Sequence, residues 1–269
     1  MNSSAQEQPR FAVMGAGSVG CFFGGMLARA GYPVTLIGRQ SHVDAVNSKG
    51  LWLDTKTFSE HVPMQAATGA EGVKGARVVL FCVKSTDSEK AAHEMAPHLS
   101  PDAVILCLQN GAENPDIVRR VLPQRVIPAV VYVATEMAGP GHVKHHGRGE
   151  LVIGDAPESE DIAACFGKSS VPVAVSAHVM GPLWGKLIIN CAYNAISAIS
   201  QLPYGKMVEV DGIPAVMENV VTECLAVAKA EGISVPGDMY ETARTLASTM
   251  ATQYSSTAQD LARGKPTEI

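Results

Sequence analysis

Between Phe11 and Gln40 the chain reads FAVMGAGSVGCFFGGMLARAGYPVTLIGRQ. A short apolar run, a glycine-rich turn, a helical pattern and a second β-branched run follow one another without a break. A strand, a helix and a second strand in that order form a right-handed crossover, which commits the chain to a parallel sheet. The turn, Gly15-Ala16-Gly17-Ser18-Val19-Gly20, fits G-x-G-x-x-G. In that pattern the first glycine permits the tight turn, the second lets the backbone approach a pyrophosphate, and the third lets helix and strand pack closely. The first helical turn then presents N–H groups and the positive end of the helix dipole to phosphates. A glycine turn can also serve helix–sheet packing alone. Its place after a first strand and before a second favours dinucleotide binding.

The same texture continues to about residue 155. Apolar runs at Val78–Val83, Ala103–Leu108 and Val126–Val133 predict further strands, with helical segments at Val19–Ala30, Ser85–Ala96 and Glu113–Val121. The glycine-rich alternation of GHVKHHGRGELVIGD predicts an extended pair of edge strands. Beyond Val179 the pattern changes. PLWGKLIINCAYNAISAIS, PAVMENVVTECLAVAKAEGI and MYETARTLASTMATQYSS predict three helices, with Gly232 as a helix stop and no further strand. The expected fold is therefore α/β: a Rossmann-type doubly wound sheet over residues 9–178, then an all-helical domain over 179–269, joined near Ser176–Pro182.

Several classes are excluded by composition. A hydrophobic content of 46% in 269 residues provides a substantial core. A net charge of −5 with no basic block gives nucleic-acid binding no electrostatic support. No apolar stretch reaches the ~18 residues of a membrane span. MNSSAQEQPR lacks the apolar segment of a secretory signal and reads as a loose tail. The six cysteines are scattered without C-x-x-C and read as reduced core residues. A cytoplasmic enzyme is the expectation.

Candidate site residues fall at strand ends and on one helix. The second strand ends at Gly38, and an NAD-selecting acid is expected there, about 20 residues after the motif. Arg39 stands in that place, followed by Gln40 and Ser41. A guanidinium pairs with a 2′-phosphate through two charge-assisted hydrogen bonds, so NADP(H) is favoured over NAD(H), against a merely solvated arginine. Ligands of open α/β sheets bind beyond the carboxyl ends of the strands. Lys84-Ser85-Thr86 and Gln109-Asn110-Gly111 fall at two such ends. Each alone reads as a strand-end charge or a turn; together they favour a cofactor edge. Lys186, Asn190 and Asn194 recur every fourth residue and share one face of a helix that is apolar nearly all round. The alternative is a lysine snorkelling to the surface. A lysine on a cleft wall suits carbonyl reduction, where it stabilises and protonates the developing alkoxide. His142, His145 and His146 invite a metal reading, but no carboxylate or cysteine ligands accompany them, and a structural strand is favoured.

With these residues in place the chain resembles the ketopantoate reductase (2-dehydropantoate 2-reductase) family from Phe11 to Ile269. The glycine turn, Arg39, Val83-Lys84 and Gln109-Asn110-Gly111 carry part of the resemblance. The specific parts are PGHVKHHGRGELVIG, LWGKLIINCAYNAISAI and SSTAQDLARGKPTEI. The resemblance implies NADPH-dependent reduction of ketopantoate to pantoate, in pantothenate and coenzyme A synthesis. It implies Gly15, Ala16, Gly17, Ser18, Val19 and Gly20 at the pyrophosphate, Arg39 at the 2′-phosphate, Lys84 on the adenosine side and Asn110 at the nicotinamide. Lys186 is implied as general acid, Asn190 and Asn194 as binders of the substrate's hydroxyl and neighbouring oxygens, Ser256 as binder of the carboxylate, and Glu268 as a second catalytic residue that hydrogen-bonds the substrate and helps position Lys186. No metal is implied, and a homodimer through the helical domain is. Reduction of another 2-keto acid, or non-catalytic sensing of NADP, are the alternatives. Members of the family usually continue for a further helix after TEI. The helical domain is thus expected to be shortened at its C-terminus, with Glu268 less firmly held.

Overall fold

The computed structural model describes residues 8–268, so most of the expected N-terminal tail, residues 1–7, lies outside the described part. The chain divides into two compact units, Met1–Val179 and Met180–Ile269.

The first unit opens with β1 (Phe11–Met14), α1 (Ser18–Arg29), β2 (Val34–Ile37) and α2 (Gln40–Lys49). It continues through β3 (Leu51–Asp54), β4 (Ser59–Val62), β5 (Gln65–Ala67), β6 (Val78–Phe81), α3 (Ser88–Met95), β7 (Val104–Cys107) and α4 (Asn114–Val121). It closes with β8 (Arg125–Gly139), β9 (His142–Gly154), α5 (Ser159–Lys168) and β10 (Val173–Ser176). The sheet order is β4-β3-β9-β8-β7-β6-β1-β2-β5, with β10 also on β9. From β5 to the start of β8 all pairings are parallel.

Strands β1, β2, β6 and β7 are buried at every position. That is why they read as unbroken apolar runs: helices cover both faces of a parallel sheet. The alternation survives in what each residue meets. Phe11 and Val13 pack into a core with Phe22, Phe23 and Leu27 of α1 and Phe166 of α5. Ala12 and Met14 point the other way, into a core with Ala92 and Met95 of α3 and Val118 of α4.

The segment expected as a pair of edge strands is one strand, β9, and it is internal. It pairs antiparallel with β8, while β3 and β10 pair with its two ends. The chain reversal lies just before it, with Gly141 at φ +67°. Gly147 and Gly149, which resemble turn residues, sit instead where the β8–β9 register shifts, at φ 152° and 140°. They are bulge positions, which bend a strand without ending it. Helices α2 and α5 and strands β3, β4, β5 and β10 were not expected. Strand β4, exposed at three of its four positions, shows why a burial pattern did not reveal it.

The second unit holds α6 (Met180–Ser200), α7 (Tyr204–Met207), α8 (Ile213–Ala230), α9 (Met239–Thr249) and α10 (Ser256–Ala262). The third expected helix is shorter than its pattern: α9 stops at Thr249, and beyond it Ser255 caps an unexpected α10, its Oγ accepting from Ala258 N–H at 3.0 Å. Ile188, Ala192 and Tyr193 of α6 form the core with Met217 and Val221 of α8 and Ala243 and Ala247 of α9. The Tyr193 hydroxyl donates to the Ala243 carbonyl within that core. Helix α6 is buried along this stripe only, not all round: Cys191 is exposed and Ile199 is 85% exposed. Among the described residues no helix is long and apolar enough to cross a membrane.

Candidate active site

The three motif glycines occupy three different environments. Gly15 has φ +104°, and a Cβ there would stand 2.7 Å from the Val83 amide nitrogen. Gly20 faces inward: a Cβ would stand 2.5 Å from the Gly15 carbonyl and 2.6 Å from a Val13 methyl. Gly17 faces open space, with nothing within 4 Å of an added Cβ. Gly15 and Gly20 are thus required by the protein's own packing, and Gly17 is not. The turn is tied to the neighbouring strand by Gly15 and Ala16 N–H groups donating to the Ile37 carbonyl, at 3.2 and 2.8 Å. No side chain caps the start of α1. Ser18 and Val19 belong to that first helical turn, whose N–H groups lack intrahelical acceptors. An open glycine followed by an uncapped helix start fits a dinucleotide pyrophosphate.

Arg39 lies beside this turn. A Cβ on Gly38 would stand 2.7 Å from the Ala16 methyl, so only glycine lets the end of β2 come this close. Arg39 is exposed and its side chain makes no ion pair or hydrogen bond among the described residues. Its guanidinium is available to a phosphate.

Lys84, half-buried, follows β6, and Asn110, exposed, follows β7. A buried polar chain joins the two loops. Gln109 Nε2 donates to the Val83 carbonyl (2.9 Å) and to Ser88 Oγ (2.7 Å). Ser88 Oγ donates to Asn114 Oδ1 (2.8 Å). Asn114 Nδ2 donates to Ser85 Oγ (3.1 Å) and to the Asn110 carbonyl (2.7 Å). Gln109, Ser88 and Asn114 are 8%, 1% and 4% exposed. Gln109 Oε1 is buried without a partner among the described residues.

On the second unit, Lys186, Asn190 and Asn194 lie one turn apart on α6, each half-buried. Ser256 opens α10, and its neighbour Ser255 fastens that helix start to α6. Ser255 Oγ donates to the Asn194 carbonyl (3.4 Å), and Ser255 N–H donates to Ser197 Oγ (3.3 Å). The fold therefore brings Ser256 next to the Asn194 turn. Glu268 is exposed, in irregular chain beyond α10. Lys84, Ser85, Asn110, Lys186 and Glu268 each take part in further polar or electrostatic contacts.

The three β9 histidines are all engaged locally. The His145 ring stacks on Phe22 at 4.4 Å, the His142 ring on Trp52 at 3.9 Å, and His146 Nε2 lies 3.0 Å from a Glu136 carboxylate oxygen. Sequence reasoning missed Ser88, Asn114 and Ser255, and also His42. His42 is buried at α2, with Nδ1 accepting from Gly141 N–H at 2.9 Å and Nε2 3.3 Å from Cys21 Sγ. Burial lowers its pKa.

A mainly parallel sheet opened by this turn, with an all-helical unit following, defines a Rossmann-type fold with an appended helical domain. Family models refine that class. The ketopantoate reductase PanE/ApbA model matches residues 11–158, and its C-terminal counterpart matches 178–269. A 2-dehydropantoate 2-reductase of Halobacterium salinarum is 36% identical over 97% of this chain and 88% of its own. A PanE/ApbA family ketopantoate reductase of Ralstonia eutropha has a solved structure, 56% identical, with a TM-score of 0.95 over 96% of this chain and 87% of that one. A D-mandelate dehydrogenase solved with NADH and anilino(oxo)acetate shares the fold, at 22% identity and a TM-score of 0.87 over 96% and 87% of the two chains. The chain belongs to the ketopantoate reductase family, a family of oxidoreductases.

Proposed function

We propose that this chain reduces ketopantoate to pantoate with NADPH, in the cytoplasmic synthesis of pantothenate. The observation that carries the reading is the matched pair of features within one family member: an open Gly17 with Arg39 beside it on the first unit, and Lys186, Asn190 and Asn194 on one face of α6 on the second. NADPH, when bound, supplies the hydride that reaches C2 of the keto acid.

The protein's own residues supply the rest. The N–H groups of the turn from Gly15 to Gly20 hold the pyrophosphate. Arg39 pairs with the 2′-phosphate, which NADH lacks. Lys84 serves the adenosine side and Asn110 the nicotinamide. Asn190 and Asn194 bind the hydroxyl and neighbouring oxygens of the substrate, and Ser256 binds its carboxylate. Lys186 stabilises the negative charge growing on the C2 oxygen and donates its proton there. Glu268 helps position Lys186. Exposed Ile199, Val216, Val227 and Leu261 on the second unit support a second copy packing against it.

The test is oxidation of NADPH by the purified chain on addition of ketopantoate, beside NADH and beside other 2-keto acids, including the keto counterpart of mandelate. Rapid oxidation with NADPH and ketopantoate alone supports the reading. A preference for another keto acid replaces the substrate, and nucleotide binding without turnover on any keto acid favours a sensor. Lys186→Ala separates the last case: an enzyme loses about 10²–10⁴-fold in turnover and keeps its nucleotide affinity, whereas a sensor is unchanged.

A further inference from the structure

The backbone ladder between β6 and β7 ends where the Leu108 N–H donates to the Phe81 carbonyl, at 3.0 Å. Beyond that point the chain diverges into two loops, one carrying Lys84 and Ser85, the other Asn110. We propose that Ser88 and Asn114 are positioning residues for the nucleotide site: with Gln109 they form a buried relay that holds these two loops in one fixed arrangement. The inference rests on the reading of Lys84 and Asn110 as nucleotide contacts.

The direction of every bond in the relay is determined. The Val83 carbonyl only accepts, so the Gln109 amide must present its nitrogen there. The same nitrogen donates to Ser88 Oγ, which leaves the serine proton for Asn114 Oδ1. Asn114 is thereby oriented with its nitrogen toward Ser85 Oγ and the Asn110 carbonyl. The Val83 and Asn110 carbonyls thus orient the two amides, the Ser88 hydroxyl links them, and the second amide touches both loops. Ser88 is 1% exposed, so solvent has little access to replace its hydroxyl. Both helices that follow the loops begin within the relay: Ser88 is the first residue of α3 and Asn114 the first of α4. Removing the Ser88 hydroxyl leaves the buried Asn114 Oδ1 without its donor and cuts the link between Gln109 and Asn114, so that only the bonds to Ser85 and the Asn110 carbonyl hold the second amide. A preorganised site then has to be ordered by the ligand, which appears as lost affinity.

The test measures NADPH affinity, steady-state kinetics and backbone hydrogen exchange for the wild type, Ser88→Ala, Asn114→Ala and the double variant. Ser88→Ala is expected to weaken NADPH binding about tenfold, the equivalent of about 1.4 kcal/mol. The KM for the keto acid should stay within about twofold. The double variant should lose little more than Asn114→Ala alone, because members of one relay are not additive. Without nucleotide, exchange should rise at 83–88 and 109–114 and stay unchanged in α1 and β1. Exchange that rises evenly across the unit, or an NADPH affinity that holds while thermal stability falls, overturns the proposal in favour of a plain packing role. If the wild type binds no NADPH, the proposed function falls, and the exchange pattern still decides the relay. If Ser88→Ala does not fold, Ser88→Cys keeps the volume with a weaker hydrogen bond, and the same pattern at reduced size is expected.

Discussion

Replacing Gly17 by alanine separates ligand binding from stability, because the structure predicts that only one of them changes. Gly17 has φ −81° and ψ −174°, values open to any L-residue, and its Cβ would meet nothing within 4 Å. Two small effects on stability oppose each other. Alanine restricts the unfolded chain, which stabilises by about 0.4–1 kcal/mol. Gly17 is also the N-cap of α1, where alanine is a poorer cap by roughly 0.5–1 kcal/mol. The net change is within about 0.5 kcal/mol of zero, or a melting shift of about 1–2 °C for a unit of this size. Binding is different. The added methyl occupies the face across which a pyrophosphate would approach the turn, and displacing one charge-assisted hydrogen bond forfeits about 1.5–3 kcal/mol. NADPH affinity should therefore fall about 10- to 100-fold, read by nucleotide fluorescence beside a thermal melt. Gly20→Ala is the control: its Cβ would stand 2.5 Å from the Gly15 carbonyl, so it should destabilise by about 1–3 kcal/mol as well as impair binding. An affinity for Gly17→Ala within twofold of wild type would show that no phosphate lies against Gly17, and the dinucleotide reading of the turn would fail. A melting temperature lowered by more than about 5 °C would show that the glycine serves packing instead.

Arg39→Ala should weaken NADPH binding about tenfold or more and leave NADH binding unchanged, since only the 2′-phosphate loses its partner; equal losses for both nucleotides would remove Arg39 from cofactor selection. His42 predicts a pH dependence of stability. Its folded pKa lies below the ordinary value of 6.5, and its Nδ1 already accepts from Gly141, so the neutral ring is the form that fits. The unfolded chain therefore binds the proton more readily, and the His42 contribution is fully present above about pH 6.5 and lost as pH falls below it. Urea unfolding at pH 7.5 and 5.5 should show a fall in stability for the wild type that is smaller in His42→Gln; an identical fall in both would assign the acid sensitivity to other groups.

The legible and illegible parts of this protein divide by the distance over which each feature is made. The start of the chain was legible because β1, the glycine turn, α1 and β2 are consecutive, and their order and spacing form one local pattern. The polar face of α6 was legible because Lys186, Asn190 and Asn194 repeat with the helical turn. Periodicity reports which face of an element meets a different environment, and it does so for polar residues as for apolar ones. It does not report which polar groups meet across the fold. Ser88 and Gln109 are 21 positions apart, and Ser88 and Asn114 are 26 apart. Serine, glutamine and asparagine at loop edges are so ordinary that nothing local marks them as buried. Nothing in the sequence around His42 marks it as buried, yet its acceptor nitrogen is used by a backbone group 99 positions away. The glycines of β9 misled for the related reason that a bulge and a turn use the same residue, and only the partner strand tells them apart. At positions proposed to touch a ligand directly, the required chemistry narrows the residue types, and that narrowing can be read in the sequence. Residues such as Ser88 and Asn114, which tie loops together from within, need only a shape and a donor, a weaker constraint that many sequences satisfy.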